Sequence, residues 1–241
     1  METEIKEQKI SQKAILVLVR WSVAMGALVI ISNIVATRIW SLTPVFRWLT
    51  GQELSGWPEL TFDAGLIIFP LTYIFSDMLN EVFGQKVANW VSIMCTVFCG
   101  VFFVTLVLAD CLPAADIENI EFVSQLGLSL PVIIGSMAGF LLEQLFNNWL
   151  FAWLRRHSKQ GSFFYRAIMS SIPARLLDTI VFNVIAFGGR MFGMDLLVHM
   201  ACAFVMATVL ECITSFCIRG YVARMKKRLN IRLVETDAAT A

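Results

Sequence analysis

Two acidic side chains lie one helical turn apart in an otherwise apolar segment between Phe69 and Gly84. Tyr73, Asp77 and Glu81 follow one another at intervals of four residues, so a helix places all three on one face. A carboxylate among apolar residues can accept hydrogen bonds from a ligand or exchange a proton. The alternative for Glu81 is that it only caps a helix end in water. The spacing therefore indicates a binding or proton-transfer site.

A second apolar segment carries a run of amides. Gln144, Asn147 and Asn148 share a helix face by their spacing, and Glu143 lies one turn before Asn147. Such a face packs poorly against lipid. It serves either a ligand or interhelical hydrogen bonds, which contribute roughly 0.6 to 2 kcal/mol each in membranes.

Later segments combine a cation with further acids. Arg175 and Asp178 are three residues apart, so they either form an internal salt bridge or face a ligand. Glu211 lies in the middle of the last apolar segment and must bind a proton or meet a cation such as Arg175. Asn33 belongs to the first apolar segment, and an interfacial role is favoured for His199.

The composition shows which elements must position these groups. Of 241 residues, 58% are hydrophobic and 15% are charged, whereas soluble domains average about 45 to 50% and 25%. This excess predicts an all-α integral membrane protein, because only helices or closed barrels satisfy their backbone groups in lipid. A net charge of +1 argues against a nucleic-acid partner. The six cysteines form no CxxC pair, so neither a metal nor a cofactor is expected.

The apolar runs predict one domain, residues 14–222, between a cytoplasmic segment, 1–13, and a basic, then disordered, cytoplasmic tail, 223–241. The expected bundle has about six transmembrane helices, at 14–39, 63–83, 87–108, 131–154, 168–188 and 196–218. Pro70 predicts a helix break in the second span, of the kind that transporters use beside a binding site.

The basic residues predict the orientation. If the N-terminus is cytoplasmic, fifteen of the 19 Lys and Arg residues lie inside and three lie outside. The acidic loop 109–130, which has no Lys or Arg, then lies outside, as the positive-inside rule requires. The expected location is the cell inner membrane, with many passes and with both termini cytoplasmic. A homo-oligomer is left open.

Several function classes lack their motifs. No GxSxG or HExxH run is present, and only two histidines occur, which argues against an enzyme. A substrate-capture subunit that works with a separate ATPase remains an alternative to a self-contained transporter. The chain has no GxxxxGK[ST] loop, so ATP dependence would have to come from a partner.

The segment from Phe69 to Gly84 resembles the signature of the queuosine precursor transporter family. Further segments resemble that family in the same order: Ser32 to Ala36, Gln144 with Asn147, Ser170 with Ser171, Leu177 to Thr179, and Ala186 with Phe187. The resemblance covers residues 32–189. One departure is Arg175, where the family often has Glu or Gln.

The resemblance implies a six-helix importer of two 7-deazaguanine precursors of the tRNA base queuosine, the 7-cyano and 7-aminomethyl compounds. The older description of the family as vitamin uptake transporters leaves another small heterocycle open. Acidic and amide groups suit a guanine-like edge, and an aromatic ring can stack on the base for about 1 to 3 kcal/mol. The candidate substrate-binding residues are Asn33, Phe69, Thr72, Tyr73, Asp77, Glu81, Gln144, Asn147, Ser170, Arg175, Asp178 and Phe182.

The charge bias makes a topology prediction. A reporter that is active only in the cytoplasm, fused after Ala241, should be active. A fusion within the acidic loop 109–130 is the matched control and should be inactive. Activity of the loop fusion and silence of the terminal one would reverse the orientation.

Overall fold

The computed structural model describes residues 12–36, 38–41, 43–51, 61–113, 130–157, 163–188 and 193–229. Most of the N-terminal segment, most of the acidic loop and the end of the C-terminal tail lie outside these ranges. In chain order the elements are α1 (Gln12–Val35), β1 (Ile39–Ser41), α2 (Thr43–Thr50), β2 (Thr61–Asp63), a 3-10 helix (Ala64–Ile67), α3 (Phe69–Phe83), α4 (Gln85–Asp110), α5 (Leu130–His157), α6 (Phe163–Phe187) and α7 (Met194–Leu229).

Five helices are long and apolar enough to cross a membrane: α1, α4, α5, α6 and α7. The prediction of an all-α membrane bundle is therefore confirmed. The last helix runs on to Leu229, beyond the predicted end at residue 218. Pro173 lies inside a continuous α6.

The second predicted span, 63–83, is wrong as a full-length helix. Its α-helical part, α3, has 15 residues, or about 22 Å at 1.5 Å per residue, whereas a bilayer core is about 30 Å thick. The 3-10 helix precedes it, and Pro70 lies in the first turn of α3, where a missing N–H does no harm. The break predicted at Pro70 is thus confirmed, at the start of α3 and not within it.

A short ribbon and a glycine turn fix the two ends of this broken segment. β1 and β2 pair antiparallel with Trp40 opposite Phe62, which returns the chain from α1 to the 3-10 helix. At the other end Gly84, with a positive φ of 91°, joins α3 directly to α4. A residue with a Cβ rarely adopts this conformation.

The centre of the bundle is α3, which contacts α1, α4, α5, α6 and α7. Ile74, Met78 and Leu79 of α3 pack with Met25 and Val29 of α1 in the main hydrophobic cluster. The longer helices turn other apolar side chains outward; on α4 these include Trp90, Phe98, Val101, Val104 and Leu108. A bundle with an apolar outside and a short central helix keeps the polar residues of α3 away from lipid.

α5 and α6 approach each other closely at Gly135. A Cβ there would lie 3.1 Å from the Phe182 carbonyl oxygen and 3.3 Å from Ile185 Cβ. Gly135→Leu should therefore lower the free energy of unfolding by roughly 1 to 3 kcal/mol through overpacking, measured by thermal melting in detergent. Gly220→Leu is the control, because an added Cβ there meets no atom within 4 Å. Equal melting temperatures for the two variants would contradict this packing.

Candidate functional site

Asp77 lies at the centre of the bundle and is fully buried. Its Oδ1 accepts a hydrogen bond from Asn147 Nδ2 at 2.8 Å, and Asn147 Oδ1 in turn accepts from Ser171 Oγ at 3.4 Å. This chain of hydrogen bonds joins α3, α5 and α6. Within the described part of the chain, Asp77 Oδ2 has no hydrogen-bond partner. One carboxylate oxygen is held by the protein and the other remains open.

Gln144 is also fully buried, one turn before Asn147 on α5. Neither its side-chain nitrogen nor its side-chain oxygen has a hydrogen-bond partner among the described residues. A buried unsatisfied amide costs about 1 to 3 kcal/mol. Such groups are rare in native structures, and either an ordered water or a ligand satisfies them.

Arg175 forms an ionic cluster with acids from two other helices. Its Nη2 lies 3.0 Å from Glu211 Oε2 on α7, and its Nε lies 3.4 Å from Glu143 Oε1 on α5. Its guanidinium carbon lies 3.8 Å from the centroid of the Tyr73 ring. Of the two alternatives for Glu211, the structure shows the contact with Arg175.

Asp178 shares the electrostatic surroundings of this cluster, since it interacts with Arg175, Glu143 and Tyr73. It is partly exposed, and it faces Gly139 of α5 so closely that a Cβ at that position would collide with Asp178 Oδ1. The Asp178 carboxylate therefore occupies space that is free only because residue 139 is a glycine. Asp178 thus lies near Arg175, at the edge of the ionic cluster.

Glu81 does not join Asp77, although the two share a face of α3. Arg166, near the start of α6, donates from Nη2 to Glu81 Oε1 at 2.7 Å. Next to this pair, Arg155 Nη1 donates to the Asn80 carbonyl oxygen at 2.7 Å. Glu81 thus belongs to an ionic layer where α3, α5 and α6 meet at the end of α3, one turn away from Asp77.

Three other predicted site residues serve the fold locally. Asn33 donates to the Val29 carbonyl at 2.8 Å and accepts a hydrogen bond from Ser136, which ties α1 to α5. Thr72 and Ser170 donate to carbonyl oxygens of their own helices, at 2.7 and 3.1 Å. The donors of these three side chains are therefore bonded within the protein.

The three aromatic residues predicted to bind substrate differ in how deeply they are buried. Tyr73 is buried and has Arg175 on its ring, whereas Phe69 is only partly buried and stacks on Tyr73 with a centroid distance of 6.5 Å. Phe182, on α6, is partly buried. Phe69 is thus better exposed than Tyr73 for stacking on a planar ligand.

Sequence reasoning missed a hydrogen-bonded set between α3 and α5. Ser76 Oγ donates to Asn148 Oδ1 at 3.1 Å, and Asn80 Nδ2 donates to the Asn148 carbonyl at 2.8 Å. Ser76 and Asn80 each precede an acid of the Asp77–Glu81 pair by one residue. Their spacing of four was the signal that could have found them.

In the described ranges no three His, Cys, Asp or Glu side chains group in a way that could hold a metal ion.

A family model described as "Putative vitamin uptake transporter" matches residues 63–222, about two thirds of the chain. The chain belongs to this family. The match begins at Asp63 and ends at Val222, so it covers the 3-10 helix, α3 to α6 and most of α7. The matched region thus includes the helices that carry Asp77, Gln144, Arg175 and Glu211. Comparison with curated proteins and with solved structures gave no match.

The ionic cluster makes a stability prediction for this family member. Arg175→Met removes the guanidinium between Glu143 and Glu211 and leaves two buried acids without it. We expect a loss of about 3 to 5 kcal/mol in the free energy of unfolding, as for other broken buried ion pairs.

Thermal melting in detergent measures this loss. Arg224→Met, at an exposed position of α7, is the control and should melt like the parent. Adding Glu211→Gln to Arg175→Met should restore part of the stability. A variant Arg175→Met that melts like the parent would show that the cluster contributes nothing to folding.

Proposed function

We propose that the chain imports 7-cyano-7-deazaguanine and 7-aminomethyl-7-deazaguanine, precursors of queuosine, across the cell inner membrane. Its family is one of uptake transporters, and its five long apolar helices make it a multi-pass membrane protein. The single observation that carries the proposal is that α3 and α5, which contact each other, each present in the bundle core a polar group without a partner among the described residues. These groups are Asp77 Oδ2 and the Gln144 amide.

The chemistry of these groups suits a guanine-like edge. That edge has two adjacent donors, a ring N–H and an exocyclic amine, followed by a carbonyl acceptor. Asp77 accepts from the donors, and the Gln144 amide can donate to the carbonyl and accept from a further N–H. Such a hydrogen bond contributes about 0.5 to 1.5 kcal/mol, and losing one that leaves a buried group unsatisfied costs about 1 to 3 kcal/mol.

The surrounding residues support the same substrate class. Asn147 holds the occupied oxygen of Asp77, which fixes the orientation of the carboxylate on α3. Phe69, partly exposed and stacked on Tyr73, supplies an aromatic face for a flat ring. A planar heterocycle with donors on one edge would satisfy the core groups that the protein leaves unsatisfied.

Transport by the purified protein in liposomes tests the proposal. Vesicles that contain the native chain should take up labelled 7-cyano-7-deazaguanine, and unlabelled 7-aminomethyl-7-deazaguanine should compete. An analogue without the exocyclic amine should compete about 5- to 150-fold less well, because it loses a hydrogen bond to Asp77. Equal competition by both compounds, or no uptake, would contradict the assignment of substrate.

Gln144→Met separates a binding role from a folding role. Methionine has a similar shape and no amide, so the variant should melt at or above the parental temperature while its affinity for substrate falls about 5- to 150-fold. Asn148→Leu is the matched comparison on the same helix. Its amide is bonded to Ser76 and Asn80, so the protein should lose stability instead. A Gln144→Met variant that binds like the parent would remove Gln144 from the site.

A further inference from the structure

The ionic cluster holds more negative groups than positive ones. Glu143 and Glu211 are 1% and 3% exposed, and both face the one guanidinium of Arg175, itself 3% exposed. A guanidinium carries a single positive charge and stays protonated in proteins. It can balance one of the two carboxylates, so the second needs another positive charge.

The described helices around the cluster do not supply that charge. From α3 it is faced by Tyr73 and Asp77, and from α6 by Asp178, none of which is a cation. The buried polar residues of α1 and α4, in the described ranges, are Ser, Asn and Thr. Arg166 lies nine residues before Arg175 on α6 and pairs with Glu81. An uncompensated charge at this depth would cost several kcal/mol.

An open place for a proton exists on α7. Glu211 Oε2 meets Arg175, while Glu211 Oε1 has no hydrogen-bond partner among the described residues. One turn further on, Ser215 Oγ is 1% exposed and also has no partner there. A carboxyl O–H needs an acceptor, and the Ser215 hydroxyl is one that shares a helix face with Glu211 by its spacing of four.

We propose that Glu143, Arg175 and Glu211 form a binding site for one exchangeable proton, and that this proton is the co-substrate that drives uptake. The proton comes from the outer water, forms an O–H bond with one of the two carboxylates and leaves to the cytoplasmic water. It belongs to the pair, because the two acids share the guanidinium and interact with each other. The coupling of this proton to import rests on the proposed function.

A metal ion fits this site less well than a proton. The guanidinium lies in contact with both carboxylates and would repel a second cation at short distance. A proton, in contrast, neutralises a carboxylate through a covalent bond and leaves its partner free to keep the ion pair. Sodium coupling is therefore the outcome that would count against the proposal.

Infrared spectroscopy tests the proton site without any substrate. The native protein at neutral pH should show the carbonyl stretch of a protonated carboxyl group that shifts in heavy water. Glu211→Gln and Glu143→Gln should each remove the same component, because the remaining acid then pairs with Arg175 as a carboxylate. Asp110→Asn, at an exposed position of α4, should leave it in place. An unchanged band in both glutamine variants would overturn the proposal.

Transport in liposomes tests the coupling. An inward proton gradient should make native protein and the control Asp110→Asn accumulate labelled 7-cyano-7-deazaguanine, and Glu211→Gln should lose this response to the gradient. Exchange of internal for external substrate without a gradient is measured for all three. Accumulation by the native protein that follows a sodium gradient would refute the coupling to protons. Exchange without accumulation under either gradient would refute it as well. Both results would leave the proposed function standing. If native protein does not exchange this compound at all, the proposed function fails, and the infrared result alone decides the proton site.

Discussion

The structure depends on one constraint, that hydrocarbon cannot hydrogen-bond to a polar group or stabilise a charge. Asp77, Glu143, Gln144 and Arg175 all lie in segments that are otherwise apolar, so each must find its partners inside the protein. In the bundle, different helices face lipid and carry most of the buried polar residues. Five helices are long enough to face lipid, and α3, whose α-helical part alone is shorter than the bilayer core, lies among them and carries the densest set of polar residues.

Hydropathy predicted most of the fold because the signal for a span is local. Each of the five long helices coincides with an apolar run that was recognisable in the sequence. The second span was overestimated, because the residues before Phe69 are as apolar as those after it. Composition does not distinguish a 3-10 turn from an α-helix, since the two differ in hydrogen-bond register and not in polarity. Pro70 was the local signal that marked the boundary.

The site was less predictable because spacing assigns a side chain to a face but not to a partner. The pair Arg175 and Asp178 was visible at three residues apart, whereas the contact with Glu211 joins residues 36 positions apart and depends on how α6 meets α7. Asn33 shows the opposite case. It resembled a site residue, yet Ser136 of α5 occupies its carbonyl oxygen. Only helix packing decides between these outcomes.

The interface of α3 and α5 contains both kinds of polar residue within a few turns. Ser76 and Asn80 both donate to the side-chain oxygen of Asn148, so removing the Asn148 side chain takes an acceptor from two buried donors. Gln144, one turn before Asn148, has no such bonds among the described residues, although it is equally buried. A fold selected for stability alone would place an apolar side chain there, because an amide without a hydrogen bond costs about 1 to 3 kcal/mol. Under the proposed function, the substrate satisfies this amide when it binds and leaves it unsatisfied again when it departs.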